Sequence, residues 1–343
     1  MSKMEVTSEQ NWIWKGVFIL TGLGLLWAVF AGIDITEVWR NAQAVGWGIV
    51  GVLVIYFLTF SIDSVSWQLA LIYAPTNLQW MWRTFAVRMV GETYNNIIPA
   101  ASMGGEPIKA LLLKRHYAVP FHDSTASLIL AKTINMVGLC LFLIIGFILM
   151  FETEKLPSVY KHTAGIGLVG MLIATGLFFL IQRLSITSAA GNWLNQWSLS
   201  KKTHWVVAQV RRMDETLVSF YTIHRVRFCA ALTLAFANWF LGVVEIYFVL
   251  WLLDAPITWS EAWIIEAAAQ MVRSGTFFIP LSIGAQEGVF LIVAGAITGA
   301  PTLGLAVGLV RRYRELLWIA LGYLMGVWYT ARFSRLNPAS DID

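Results

Sequence analysis

The sequence predicts an all-α polytopic membrane protein, with about six full spans and two re-entrant helical hairpins arranged as an inverted repeat. Three observations lead there. The chain is 58% hydrophobic and only 13% charged, where a soluble domain carries about 25% charged residues, so it lacks the polar surface to dissolve. Apolar runs close to the roughly 20 residues needed to cross a bilayer recur along it. A chain-breaking motif also occurs twice, as Ile98-Pro99-Ala100-Ala101-Ser102-Met103-Gly104-Gly105-Glu106 and, more weakly, as Ile279-Pro280-Leu281-Ser282-Ile283-Gly284-Ala285-Gln286-Glu287. Each copy ends an apolar stretch with proline, runs through small residues, and places a glutamate seven residues after the proline.

Taken in order, the spans fall near 13–31, 46–72, 125–151, 163–181, 228–253 and 302–326. The first has a long apolar core and no small-residue cleavage pattern after it, so it reads as a span and not a signal peptide. The hairpins occupy 80–117 and 261–298, each as two short apolar stretches joined by the Pro–small–Glu corner. Broken helices are tolerated at membrane depth only where protein or a watery cavity surrounds them. The whole chain, 1–343, forms one integral membrane domain, with a first half at 1–151 and a second at 163–331. Between them, 190–224 reads as an amphipathic connector: Val206, Val210, Met213, Leu217, Phe220 and His224 recur at helical spacing, with Lys201, Lys202, Arg211, Arg212 and Glu215 mostly off that stripe. Two readings of it stand, a helix in the headgroup layer or a helix packed on the protein's own base.

Loop charges orient the chain. The connector region is strongly basic and is cytoplasmic by the positive-inside rule. The loop around Asp34, Glu37 and Arg40, and the stretch from Asp254 to Glu261, fit the opposite side. Lys3 and Lys15 at one end, and Arg332 and Arg335 at the other, place both termini in the cytoplasm. Three full spans then separate the hairpins, so the first opens from the cytoplasm and the second from the periplasm. The net charge of +4 follows from this bias and gives no support for nucleic-acid binding. The two cysteines, Cys140 and Cys229, lie in apolar runs and build neither a disulfide framework nor a metal site. No cofactor is expected.

Within each hairpin the polar residues share a helical face: Arg88, Glu92 and Asn95 in the first, Glu266, Gln270 and Arg273 in the second, at i, i+4, i+7 spacing. Superposing the prolines and superposing these faces gives offsets that differ by about one helical turn, so the repeat is imperfect. After each hairpin comes a span carrying cations, Lys132 followed by Asn135, then Arg311, Arg312 and Arg314 with Glu315. Charge at the bilayer centre costs from roughly 2.5 to over 10 kcal/mol, so these groups call for partners and an interior cavity. Structural readings stand beside the functional ones. Gly104 and Gly105 can serve a tight turn that needs positive φ, with Glu106 capping the helix that Pro107 starts. Arg88 and Glu92 can be a plain ion pair, and Lys132 can snorkel to the interface. Asp63, near Ser61, Ser64 and Ser66, reads equally as a hydrogen-bonded interior acid or a functional one. The tryptophans read as interfacial anchors, and Gly165, Gly167, Gly170, Gly322 and Gly326 as helix-packing positions.

The run Pro99…Gly104-Gly105-Glu106-Pro107-Ile108-Lys109-Ala110 with Lys114-Arg115 resembles the signature of the lysylphosphatidylglycerol synthase transmembrane region, a family also called flippase-like. The Pro280…Gly284…Glu287-Gly288 segment and the Arg311–Arg314 span are similar to its second half. The resemblance covers roughly residues 15–330. Its members include the lipid-translocating domain of the bacterial multiple peptide resistance factor and membrane proteins of hopanoid-synthesis clusters. It implies a bacterial inner-membrane protein of six to eight spans that moves lipids between leaflets. The synthase half of bifunctional members is a separate soluble domain, which the sequence up to Asp343 does not contain, so no enzymatic activity is expected.

The expected function is thus a flippase or scramblase-like transporter of an amphiphile with a polar headgroup. Arg88, Lys132, Arg273, Arg311 and Arg314 would hold a phosphate or carboxylate, with Asn95, Gly104 and Gly105 at the first corner. Glu92, Glu106, Glu266 and Glu287 would balance those charges or bind an amine. Expected partners are membrane lipids, with homo-oligomers or lipid-biosynthesis proteins as further candidates. The rival readings are a non-catalytic component of a lipid or envelope (for example hopanoid) biosynthesis system, which needs no buried cations, and a membrane-embedded transferase on a lipid-linked substrate. The transferase lacks support, since His116, His122, His162, His204 and His224 are scattered in loops and no paired-carboxylate motif lies on a soluble face. The topology makes one prediction: a Met103→Cys variant should label from the cytoplasmic side and a Ser282→Cys variant from the periplasmic side. Labelling of both from one side would refute the inverted repeat.

Overall fold

The structure, a computed structural model, describes residues 35–72, 74–97, 104–183, 219–220 and 222–334, and every regular element among them is helical. In order these are α1 (Ile35–Ala44), α2 (Gly48–Ala70), α3 (Leu78–Ile97), α4 (Glu106–Tyr117), α5 (Phe121–Glu152), α6 (Ser158–Arg183), α7 (Arg225–Leu252) and α8 (Trp259–Gly275). A short 3₁₀ turn, Pro280–Ser282, leads into α9 (Ala285–Val289), a π-helical stretch at Phe290–Ala294, α10 (Gly295–Thr298) and the long α11 (Pro301–Ser334). The span expected at 13–31 and nearly all of the 190–224 connector lie outside the described residues. Among the described residues three helices, α2, α5 and α7, are long and apolar enough to cross a membrane by length and composition. Each is apolar on all sides, the pattern of a helix that does not face water.

Local chemistry explains the boundaries. The α8 start is a capping box: the Thr258 hydroxyl accepts the Glu261 N–H at 3.3 Å, and the Thr258 N–H donates to Glu261 Oε2 at 2.7 Å. Glu261, expected as a hairpin flank, is therefore committed to this cap. At the other end of the second hairpin, Gly299 takes the left-handed conformation (φ 75°) and Pro301 opens α11, the glycine-out, proline-in asymmetry of helix ends.

The chain divides into two compact units. The first comprises residues 1–54, 86–109 and 245–343. Here α11 is the central post, with α1 and the π-helical stretch against it, and glycines set its approach distances. A Cβ on Gly322 would lie 2.1 Å from Thr93 Oγ1 and 2.7 Å from the Met89 carbonyl oxygen; one on Gly304 would lie 2.1 Å from the Phe290 carbonyl oxygen. Phe290, Ile264, Ile265, Ile246 and Leu305 fill the interior.

The second unit comprises 55–85 and 110–244. Trp67 Nε1 donates to Ser127 Oγ at 3.2 Å and Ser66 Oγ to the Ala231 carbonyl at 3.0 Å, tying α2 to α5 and α7. Gly138 of α5 lets Ala235 approach, its Cβ position lying 3.3 Å from that of Ala235. Asn135 Nδ2 donates to Asp63 Oδ1 at 3.4 Å, and the Asn135 carbonyl accepts from Trp239 Nε1 at 3.3 Å. That chain favours the interior hydrogen-bonded reading of Asp63.

The glycine contacts set up a stability test. Gly322→Ala should cost about 1–3 kcal/mol through overpacking, seen as a lower thermal midpoint in detergent. Gly170→Ala, whose Cβ would meet nothing within 4 Å, should hold or raise stability by about 0.5–1 kcal/mol. Equal midpoints for the two variants would refute the close approach of α3 and α11.

Candidate functional site

The second corner is built around four guanidinium groups and four carboxylates. Glu245 comes from α7, Glu266 and Arg273 from α8, Glu287 from α9, and Arg311, Arg312, Arg314 and Glu315 from α11. All eight belong to the first unit. Arg311 Nη2 lies 2.5 Å from Glu266 Oε2 and its Nε 3.4 Å from Glu245 Oε1. Arg314 also pairs with Glu245. Arg312 Nη2 meets Glu287 Oε1 at 2.5 Å and its Nη1 meets Glu315 Oε2 at 3.0 Å. Arg273 reaches Glu315 Oε1 at 3.4 Å. Gln270 Nε2 donates to Glu266 Oε1 at 2.7 Å, and the Arg311 guanidinium sits over the Phe290 ring, 5.3 Å from its centroid.

The charges balance one for one, which allows so many to be buried together. Removing a single partner would leave a buried charge uncompensated, at a cost of about 3–5 kcal/mol. Exposure grades the four cations. The Arg311 and Arg314 side chains are 4% and 5% exposed, Arg312 is 16%, and Arg273 is 40%. Arg273 is thus the cation an incoming group can reach without dismantling the network.

The corner itself is locked to α11. Leu281 (φ 54°) and Ser282 (φ 48°) adopt left-handed backbone without being glycine, and Gly284 (φ 81°) follows. Non-glycine residues there store of order 1–3 kcal/mol each. Their conformation is held by Arg312 Nη1, which donates to the Leu281 carbonyl at 3.1 Å, and by Glu287 Oε2, which accepts the Gly284 N–H at 2.8 Å. Glu287 therefore bridges the turn to Arg312 with its two oxygens.

At the first corner the Gly105 N–H donates to Asn95 Oδ1 at 2.7 Å, while Asn95 Nδ2 donates to Glu92 Oε2 at 3.2 Å and Glu106 Oε1 at 3.4 Å. Buried Lys109 places Nζ 3.0 Å from Glu106 Oε1 and 3.6 Å from Glu92 Oε2. The expected positive φ does not hold for Gly105, which is not among the left-handed glycines. Glycine is needed there for proximity: a Cβ would lie 1.8 Å from the Gly91 carbonyl oxygen. Gly91 in turn makes room for Lys109, whose Cγ would be 2.3 Å from a Cβ. Asn95 takes the Gly105 amide, so Glu106 turns to Lys109 instead.

The sequence-predicted residues therefore fall into sets. Glu266, Arg273, Glu287, Arg311 and Arg314 converge at the second corner. Glu92, Asn95, Gly105 and Glu106 converge at the first, where Gly104 is half-buried in the turn and Arg88 is half-buried one turn before Glu92. Lys132 lies on α5 in the second unit and is exposed, where a buried cation was expected. Sequence reasoning missed Glu245. Its signal was available, as the lone acid inside a 28-residue apolar helix, a position that itself marks a candidate site. Lys109 entered only as part of the family motif, yet it is buried. Among the described residues, no group of three or more His, Cys, Asp or Glu could hold a metal ion.

Residues 12–322 match the family described as the lysylphosphatidylglycerol synthase TM region, and the chain belongs to that family. It is similar to a "UPF0104 membrane protein" of Methanothermobacter thermautotrophicus, 23% identical over 246 residues, covering 66% of this chain and 69% of that protein. It is also similar to a UPF0104 membrane protein of Pyrococcus horikoshii, 20% identical over 299 residues, covering 84% of this chain and 88% of that one. No solved structure matches the chain.

Two outcomes follow for stability. Arg311→Gln should lower it by about 3–5 kcal/mol by stranding Glu266, whereas Arg311→Gln with Glu266→Gln should recover most of the loss. Thermal unfolding in detergent measures both, and a double variant as damaged as the single one would break the pairing argument. Gly105→Ala should destabilise the first corner by about 1–3 kcal/mol despite adding only a methyl group, seen as a lower yield of folded protein.

Proposed function

We propose that this member of the family moves an amphiphile with a polar headgroup between the leaflets of the bacterial inner membrane, as a flippase or scramblase-like transporter without a cofactor. The observation that carries this reading is the charge-balanced arginine–glutamate network buried among apolar helices beside a strained, broken-helix corner. Paired side chains of this kind offer a headgroup exchangeable partners. An anionic phosphate replaces a glutamate on an arginine, and the released glutamate receives an amine or another cation, so no step leaves an isolated charge in a low-dielectric interior. Arg273, the most exposed of the four, takes the first contact; Arg312 is less exposed, and Arg311 and Arg314 are both buried. Acyl chains stay in lipid throughout. The two corners would act as re-entrant elements, with both termini in the cytoplasm. Chemistry on the lipid is not required, and we assign none.

The mutual pairing of Arg311 and Arg314 with Glu245 and Glu266 favours one competing reading, a structural network in a non-catalytic component of a lipid-biosynthesis system. Arg273 separates the two. Half-exposed and held, among the described residues, by one 3.4 Å contact, it contributes about 0–1 kcal/mol to stability. Arg273→Gln should therefore leave the thermal midpoint nearly unchanged and slow fluorescent-lipid translocation in proteoliposomes by about tenfold, the value of one charge-assisted hydrogen bond. Arg273→Lys should retain part of the rate, since charge is kept but bidentate geometry is lost. Unchanged translocation by a well-folded Arg273→Gln protein, or none by the wild type across phospholipids and polyprenyl lipids, would transfer the assignment to the structural reading.

A further inference from the structure

Arg312, at the second corner, has five N–H donors, and four of them are committed among the described residues. Nε and Nη2 both donate to Glu287 Oε1, at 3.0 and 2.5 Å. Nη1 donates to Glu315 Oε2 at 3.0 Å and to the Leu281 carbonyl at 3.1 Å. A phosphate or carboxylate binds a guanidinium through two parallel N–H groups. At most one donor remains on Arg312, so such an anion must displace an acceptor already in place. Glu287 and Glu315 are held by charge as well as by hydrogen bonds. The Leu281 carbonyl is neutral and is therefore the first to be displaced.

That carbonyl belongs to a backbone that resists its own conformation. Leu281 has φ 54° and ψ 13°, and Ser282 follows at φ 48°. L-residues visit the left-handed region singly, and mostly as glycine, asparagine or aspartate. Two others in succession persist only where the surroundings impose them. Three hydrogen bonds bear on the turn among the described residues: Ser282 N–H to the Ile279 carbonyl at 2.9 Å, Gly284 N–H to Glu287 Oε2 at 2.8 Å, and the one from Arg312. An incoming group has a route to that last bond. Half-exposed Arg273 and Arg312 grip opposite oxygens of the same Glu315 carboxylate, so a headgroup on the first is beside the second.

We propose that the corner is a latch that an anionic headgroup opens. An oxyanion on the Arg312 fork displaces the Leu281 carbonyl, and residues 279–284 relax out of the left-handed conformation, which transmits binding to the broken helix. Arrival of the headgroup rests on the transport reading; the latch is a property of Arg312 and the turn. Hydrogen–deuterium exchange across 279–287, on the purified full-length protein in detergent, measures opening without requiring translocation. Probes are short-chain phosphatidylglycerol, inorganic phosphate and diacylglycerol of the same chain length. Phosphatidylglycerol should speed exchange at saturation by about tenfold, the release of one left-handed residue, and diacylglycerol should leave it unchanged. An equal response to inorganic phosphate at the same concentration would identify a free anion as the ligand, and a response to phosphatidylglycerol alone a membrane lipid; either supports the latch. Ser282→Gly, which removes the cost of positive φ and leaves every arginine in place, should lose most of the response. Arg312→Gln should exchange fast with no lipid present, and if it does not fold, Ser282→Gly decides. No acceleration by either anion, equal acceleration by diacylglycerol, a wild-type response in Ser282→Gly, or slow exchange in a folded Arg312→Gln protein would overturn the latch. Acceleration without translocation in proteoliposomes would count against the transport reading and leave the latch standing.

Discussion

Charge neutrality within an apolar interior governs the first unit. Arg311, Arg312 and Arg314 would be intolerable there alone, and the four glutamates equally so; together, with half-exposed Arg273 at the margin, they form a cluster whose charges offset one another's desolvation. That requirement fixes the positions of α7, α8, α9 and α11 at once, since each supplies at least one member. It also explains why the corner at Pro280–Ser282 keeps its strained backbone. The turn is held by Arg312 and Glu287, which are themselves held by the cluster.

The first corner meets a similar demand by different means. Lys109, Glu92, Glu106 and Asn95 form a smaller polar knot, and access for it depends on two glycines. Gly91 leaves space for the lysine stem and Gly105 lets backbone meet backbone. One corner is thus defined by side-chain ion pairing and backbone strain, the other by the absence of side chains. The imperfect offset between the two copies in the sequence has a structural counterpart in these different solutions.

Much of the fold was legible because apolar length and helix-breaking residues act locally. The spans expected near 46–72, 125–151, 163–181, 228–253 and 302–326 lie within or beside α2, α5, α6, α7 and α11, and both hairpin corners fall between helices. The site was legible where several charges shared a face, as with Glu266, Gln270 and Arg273. It was illegible at Glu245, because a lone acid announces nothing about its partners until α7 and α11 are brought side by side. The reason for Gly105 was misread for a related cause. Positive φ is a local property that a motif suggests, whereas close approach to Gly91 is set by tertiary packing. Lys132 shows the same limit, since its place in an apolar run does not say which way it faces.

The π-helical stretch at Phe290–Ala294 has a consequence for chain length. A π turn carries one residue more than the α-helix around it accommodates, and each residue of an α-helix advances the side-chain direction by about 100°. Phe290 beneath Arg311 and Glu287 against Arg312 both depend on that extra residue to bring them round to α11. Losing one residue between 290 and 294 would heal the helix into regular geometry while swinging the entire corner off its cations. Substitutions in this stretch are cushioned by ordinary repacking; deletions are not.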